Sequence, residues 1–305
     1  MIHLDEAAVR AALRWPTLID AMERALADFS SGGVIHPVRS ILTIEEHRRY
    51  LGIMPAVAGD VMGAKLVSFY PGNERTPNPT HNGVIVLLDT RTGVPLASID
   101  ARLITEMRTA AVSAAVTRRL MPENARALAV LGSGVQAGAH VEALAQVARF
   151  DDIRVWSRTR EHAERFAQAH GAIATDAESA VRDADVVVVA TSSQSPVLRG
   201  TWLKPGAHVN SVGANRPHWR ELDDESMRNT VIVDSREATS LELGDVILSG
   251  AAVYAEAGEL FSGAKPTPPR SLTTVFKSGG LAIEDLAAAK LVMEFTPRRR
   301  RARPK

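Results

Sequence analysis

The sequence predicts an α/β protein: a Rossmann-type, doubly wound parallel sheet, joined to a discontinuous α+β domain whose sheet is largely antiparallel. Three observations carry this. Short β-rich runs fill residues 36 to 100 with no helix between them, as in a meander. From residue 126 apolar strands alternate with helical segments, the pattern of parallel strands with crossover helices. A glycine-rich turn, Gly132-Ser133-Gly134, joins the first of those strands to a helix.

Taken in order, residues 5 to 30 read as two helices with Trp15-Pro16 between them and Ser30-Ser31-Gly32-Gly33 closing the second. The meander follows as VRSILTI, RYLGIMPAV, GAKLVSFY, GVIVLLD and PLASID, separated by EEH, PGNERTPNP and TRTG. LITEMRTAAVSAAVTRRL, alanine-rich and with Thr105 near its start, is a helix leaving that sheet. Next come strand ALAVLG, a helix from 135, IRVWS, a helix from 160, AIAT, a helix from 176, then DVVVVAT, AHVNSVG and VIVDS. After the loop KPTPPR a last helix, LAIEDLAAAKLVMEF, has no strand of its own to follow and is expected to return to the first domain. The predicted boundaries are 1–113, completed by 280–305, for a substrate-binding and dimerisation domain, and 114–279 for a nucleotide-binding one.

Composition narrows the chemistry. Among 305 residues, 36 Lys plus Arg nearly balance 35 Asp plus Glu, so no global basic field points to nucleic acid or an anionic membrane, and a small-molecule partner fits better. With no cysteine, disulfides, thiolate metal sites and cysteine nucleophiles are excluded. No long apolar run suggests a signal peptide or a membrane span, and a cytoplasmic protein is expected. The histidines lack metal-ligand spacing, and neither a GxSxG elbow nor a Walker loop occurs. The basic end PRRRRARPK, 297 to 305, is read as a solvated terminus.

The nucleotide site follows from Gly132-x-Gly134-x-x-Ala137. Gly132 permits the tight turn, Gly134 lets the backbone approach a pyrophosphate, Ala137 allows close helix packing, and the N–H groups around Val135 and Gln136 face the phosphates. At the end of the second strand, where NAD-binding proteins place an acid for the adenosine ribose, stand Ser157, Arg158 and Thr159. Donors and a positive charge there suit a 2′-phosphate, so NADPH is expected over NADH.

In the first domain Lys65 interrupts an apolar face shared with Val67 and Phe69, where an ammonium group requires a partner. Arg108 is read as lying in the first turn of its helix, an end that disfavours positive charge unless an anion binds there. With Arg39, these cations form a candidate clamp for a substrate carboxylate. His81 precedes a strand, either polarising a ligand or capping a turn.

In PVRSIL, YLGIMPA, GAKLVSFYPGN, ITEMRTAAVSAA, LGSGVQA, VWSRT, KPGAHVNSVGANRPHWRELDDE, GDVILSGA and TTVFKSGGLAIEDLAAAKL the chain resembles the ornithine cyclodeaminase/mu-crystallin family along nearly its whole length, most nearly the ketimine reductase branch. The resemblance implies a homodimer formed through the first domain's sheet. It also implies that Arg39, Lys65 and Arg108 bind the substrate carboxylate, and that Thr80, His81 and Arg108 lie by the cofactor. Ala190, Thr191, Ser192, Val212 and the segment 276 to 278, with Lys277 and Ser278, line the cofactor on the same basis. One departure separates the branches: where cyclodeaminases carry an aspartate two residues after the first glycine of SVGANRP, this chain has Asn215, which orients by hydrogen bonds but cannot act as a carboxylate base. The expected activity is NADPH-dependent reduction of a cyclic imino acid, Δ1-piperideine-2-carboxylate or Δ1-pyrroline-2-carboxylate, with Lys65 as proton donor and Asn215 orienting the ring nitrogen. Ornithine cyclodeaminase, alanine dehydrogenase and a non-catalytic NADPH-dependent binding protein are the alternatives.

Overall fold

The computed structural model describes residues 1–46 and 48–296, so the basic end at 297–305 lies outside the described residues. Its contacts divide the chain into two units: 1–18 with 34–105 and the segment from 282 onward, and 19–33 with 106–281. The first unit is discontinuous and resumes at 282. The first break falls inside the alanine-rich helix at 105/106 instead of after 113, and residues 19–33 join the nucleotide-binding unit.

The elements of the first unit are β1 (Ile2–Leu4), α1 (Glu6–Ala12) and the start of α2 (Trp15–Ser30), then β2 (Val34–Ile35), β3 (Ser40–Glu45), β4 (Arg49–Ala58), β5 (Val61–Phe69), β6 (His81–Asp89) and β7 (Pro95–Asp100), and the first turn of α3 (Arg102–Leu120). Trp15 and Pro16 open α2 instead of separating two helices; proline is tolerated in a first turn because its missing N–H has no intrahelical acceptor there. The sheet runs β1-β7-β6-β5-β4-β2 with β3 also on β4, antiparallel except for β1 beside β7. β1 and β2, of three and two residues, show no periodicity in sequence. Pro55 sits in β4 where β3 pairing has ended at Ile53 and β2 pairing begins at Val57, so its lack of an N–H leaves no ladder bond unmade.

The second unit continues from α3 through β8 (Ala127–Leu131), α4 (Val135–Leu144), β9 (Asp152–Trp156), α5 (Arg160–His170), β10 (Ile173–Ala174), α6 (Ala177–Val181), β11 (Val186–Val189), β12 (His208–Ser211), α7 (Asp224–Met227), β13 (Thr230–Val233), α8 (Arg236–Glu242), α9 (Gly244–Ser249), β14 (Val253–Glu256), α10 (Ala257–Ser262) and β15 (Thr274–Lys277). Its eight strands are all parallel, in the order β10-β9-β8-β11-β12-β15-β13-β14. The all-valine β11, buried along its length, is typical of a strand covered on both faces. β14 and β15 are additions to the expected set, and β15 inserts between β12 and β13. The last helix, α11 (Ala282–Phe295), therefore does follow a strand, and it packs on β4, β5 and β6 of the first unit.

Two histidines are sealed in the second unit. His140 on α4 meets the Gln136 carbonyl at 2.7 Å and Ser113 Oγ at 2.9 Å; His208 on β12 meets Thr274 Oγ1 at 2.8 Å. Burial pushes both imidazoles down to about 4. The folded state thus refuses protons that the unfolded chain accepts below its ordinary histidine pKa, so stability is lost as pH falls from about 6.5 toward 4, by roughly 3 kcal/mol per histidine. Thermal melts from pH 7 to pH 4.5 should show a falling Tm, and His208→Gln, which cannot take up a proton, should flatten that slope.

Candidate active site

Several of the residues expected at the cofactor follow the carboxyl ends of strands in the second unit's sheet, whereas Thr80 and His81 belong to the first unit. Gly132 follows β8, Ser157 follows β9, Ala190 follows β11, Val212 follows β12 and Ser278 follows β15, and these five strands are consecutive in the sheet. Backbone bonds fix the crest: Gly132 N to Trp156 O at 2.8 Å, Ala190 N to Leu131 O at 2.9 Å, Val212 N to Val189 O at 3.0 Å and Ser278 N to Ser211 O at 3.0 Å. The chain moves outward one way from β8 to β9 and β10 and the other way from β11 to β12. The crevice at the carboxyl ends of β8 and β11 is therefore the topological switch point, where open α/β sheets bind ligands.

At that crevice Gly132 adopts φ +121°, and a Cβ on it would run into the Ala190 carbonyl oxygen. Gly134 is the N-cap of α4, no side chain caps the helix, and a Cβ at Gly134 would meet nothing within 4 Å. Open space thus lies over the free N–H groups that begin with Val135 and Gln136, while Ala137 is fully buried beneath them. These features fit a dinucleotide pyrophosphate. Beside it Ser157 Oγ lies 2.9 Å from Ser133 Oγ, Thr159 is the N-cap of α5, and Arg158 is exposed with no hydrogen-bond or ion-pair partner among the described residues. A depression of about 340 Å³ next to this turn is lined by Ser133, His162, Arg165, Phe166, Ala169 and His170, and the sequence pattern did not single out its added basic side chains.

Not every expected cofactor residue presents its side chain to the crest. Lys277 is wholly buried: its Nζ lies 2.9 Å from Asp245 Oδ2 and 3.1 Å from Ser211 Oγ, and it donates to the Gly213 carbonyl. Ser278 Oγ donates to Asp234 Oδ2 at 3.1 Å. Both side chains are thus bound to interior acceptors and are corrected from cofactor ligands to supports. Thr191 donates its N–H and hydroxyl to Glu221 Oε1 at 2.6 and 2.7 Å, while Ser192 and Asn215 remain exposed.

Arg108 also needs correction. α3 begins at Arg102, so Arg108 is in the second turn, beyond the strong field of the helix terminus. Close packing holds it instead: it is 5% exposed, with its guanidinium against Gly280, where φ is +76° and any Cβ would collide with it. Asp234 Oδ2 fixes that glycine turn by accepting from Gly279 N at 2.7 Å and Gly280 N at 2.6 Å. Asp234 and Gly280 were missed in sequence because an isolated acid and a glycine pair carry no spacing signal.

In the first unit Lys65 lies on central strand β5, between Met54 and Ile85, and is 2% exposed. The partner its apolar face requires is Asp285 of α11, whose Oδ2 is 2.7 Å from Nζ; Thr105 Oγ1 is at 3.5 Å. Arg39 immediately precedes β3. Since Ser40 pairs with Ile53 and Ile53 with Leu66, Arg39 stands on the row of Met54 and Lys65. Thr80 precedes β6 and His81 starts it, with Thr80 Oγ1 3.2 Å from His81 Nδ1 and the imidazole centroid 4.4 Å from that of the Phe69 ring. Partial desolvation and then the charge of Lys65 lower the His81 imidazole from its ordinary value, although its side chain is still exposed at the surface. Among the described residues no three His, Asp or Glu side chains gather as a metal site.

Removing one partner of a buried ion pair strands the other. Asp285→Ala should therefore cost about 3 to 5 kcal/mol in denaturant unfolding, whereas Lys65→Met combined with Asp285→Leu should recover most of that loss.

The model of the ornithine cyclodeaminase/mu-crystallin family matches residues 2–298. The ketimine reductase mu-crystallin of Mus musculus is 49% identical over 286 residues, spanning 91% of each chain. A Delta(1)-pyrroline-2-carboxylate reductase of Bacillus cereus is 32% identical over 313 residues, spanning 96% of this chain and 93% of its own. Among solved structures, the Thermococcus litoralis Delta(1)-pyrroline-2-carboxylate reductase in complex with NADH and L-proline superposes with a TM-score of 0.91 at 32% identity, covering 96% of this chain and 97% of that one. An archaeal alanine dehydrogenase dimer with bound NAD gives a TM-score of 0.91 at 30% identity, covering 96% and 95%. With these likenesses and the switch-point crest, the chain belongs to the ornithine cyclodeaminase/mu-crystallin family.

Proposed function

We propose that this protein is an NADPH-dependent reductase of cyclic α-imino acids, taking Δ1-piperideine-2-carboxylate or Δ1-pyrroline-2-carboxylate to pipecolate or proline. The observation that carries this reading is Lys65, buried in an apolar face with its Nζ 2.7 Å from Asp285 Oδ2. Relatives named as ketimine and pyrroline-2-carboxylate reductases support the substrate class.

Arg39, Lys65 and Arg108 are assigned to the substrate carboxylate, and Thr80 and His81 to the cofactor's reactive end. The bound reduced nicotinamide supplies a hydride to the imine carbon. Lys65 supplies the proton that keeps the ring nitrogen cationic, so the product leaves with one more hydride on carbon and one more proton on nitrogen. Asn215 orients that nitrogen or a water beside it; lacking a carboxylate, the position does not support the amine oxidation with which a cyclodeaminase begins. Arg158, exposed and unpaired among the described residues, takes the 2′-phosphate.

A homodimer is part of the proposal. Ile35, Ile41, Leu42 and Ile44 of β2 and β3 expose between 42% and 67% of their surface, an apolar strip consistent with pairing of two copies through this sheet.

Lys65→Met should lower kcat by about a hundredfold or more, the usual size of a lost general acid, while leaving the Kd for NADPH within about threefold. Near-normal turnover would remove Lys65 from proton transfer. Arg158→Ala should weaken NADPH binding by about tenfold or more and NADH binding little, as titration of both cofactors by fluorescence would show; equal losses would reject the 2′-phosphate assignment.

A further inference from the structure

The second unit buries an ion cluster beneath the crest. Lys277, Glu221 and Asp245 are each 0% exposed, with Lys277 Nζ 2.9 Å from Asp245 Oδ2 and 3.7 Å from Glu221 Oε2. One ammonium and two carboxylates removed from water are a costly way to fill a core, since apolar side chains of similar volume are often as stable or more so. The hydrogen bonds indicate a different use. Among the described residues four hydrogen-bond donors reach the Glu221 carboxylate, from the crest loops and the end of β12: Thr191 N and Oγ1 at 2.6 and 2.7 Å on one oxygen, Ser211 Oγ and Gly213 N at 3.0 and 2.8 Å on the other. Asp245 Oδ1 in turn accepts from Glu221 N and Leu222 N, both at 2.8 Å, fixing the backbone that carries Glu221.

Gly213 is held on both sides, its N–H by Glu221 and its carbonyl by Lys277. The next residue, Ala214, is one of two described non-glycine residues with positive φ, at 54°. A left-handed alanine costs on the order of 1 kcal/mol and persists only where its surroundings dictate it. The residue after it is Asn215.

We infer that Glu221, held in place through Lys277 and Asp245, is a positioning residue that clamps the loops after β11 and β12, setting where Thr191 and Asn215 stand relative to the reacting atoms. The inference rests on the reading of Thr191 and Asn215 given above. It also explains why Lys277 and the segments HWRELDDE and GDVILSGA belong together though they are far apart in sequence: they supply the ammonium, Glu221 and Asp245.

The test is Glu221→Gln, whose amide turns an N–H donor toward a hydroxyl or backbone donor it must accept from. Two readouts are compared with the parent: hydrogen–deuterium exchange of the 190–193 and 211–216 backbone, and steady-state reduction of the cyclic imino acid. The clamp predicts exchange faster by about tenfold or more in those two segments only, and kcat lower by about tenfold or more with KM for NADPH within about threefold. Exchange unchanged there, or kcat within about twofold of the parent in a folded variant, would overturn it. A merely structural role would instead raise exchange throughout the unit. Should Glu221→Gln not fold, Ser211→Ala, which removes one donor without stranding a charge, is held to the same pattern. A parent inactive on imino acids would count against the proposed function, and the exchange result would then judge the clamp alone.

Discussion

Burying an ammonium group costs several kcal/mol unless a carboxylate goes with it, and each unit of this protein is organised around one such burial. In the first, Lys65 of a central strand is matched by Asp285 from the helix that covers that face. In the second, Lys277 of β15 is matched by Asp245 and Glu221. The two pairs are used differently. Lys65 lies among apolar neighbours in the same sheet as His81, whose imidazole is lowered from its ordinary value by desolvation and by the charge of Lys65. Lys277 directs its charge inward, fixing loops instead of meeting a ligand.

The nucleotide end depends on a steric condition at the switch point. The Gly132 turn passes so close to the Ala190 carbonyl that no side chain fits, and this brings the uncapped start of α4 to the crevice between diverging strands. Because the crest loops follow consecutive parallel strands, a few backbone bonds at the strand ends are enough to hold them in one row. Fine placement is then left to side-chain carboxylates from below: Asp234 under the turn at Gly279 and Gly280, and Glu221 under Thr191 and Gly213.

Much of this was legible in the sequence where it depended on local pattern. The glycine turn after an apolar strand, the absence of an acid at Ser157, and a lysine out of place between Val67 and Phe69 each break or satisfy a short-range rule. Their partners were not legible. Asp285 lies in a helix whose apolar content conceals which face it presents, and Asp234, Glu221 and Asp245 carry no spacing that ties them to Lys277 or to the crest. The direction of Lys277 was misjudged for the same reason: a residue at a strand end can point to the crest or into the core, and only its carboxylates decide. Short strands such as β1 and β2 escape because two or three residues show no alternation, and β15 because its neighbours in the sheet are remote in the chain.

The proposed imine reduction rests on the buried Lys65 and the exposed Arg158. The most direct test follows NADPH and NADH absorbance with the purified protein and the five- and six-membered cyclic imino acids, at mildly acidic and neutral pH. A reductase of this kind gives oxidation that prefers NADPH, with the cyclic amino acid as product and no ammonia released. Tight NADPH binding with no turnover of either ring would contradict it and leave a ligand-binding protein in its place.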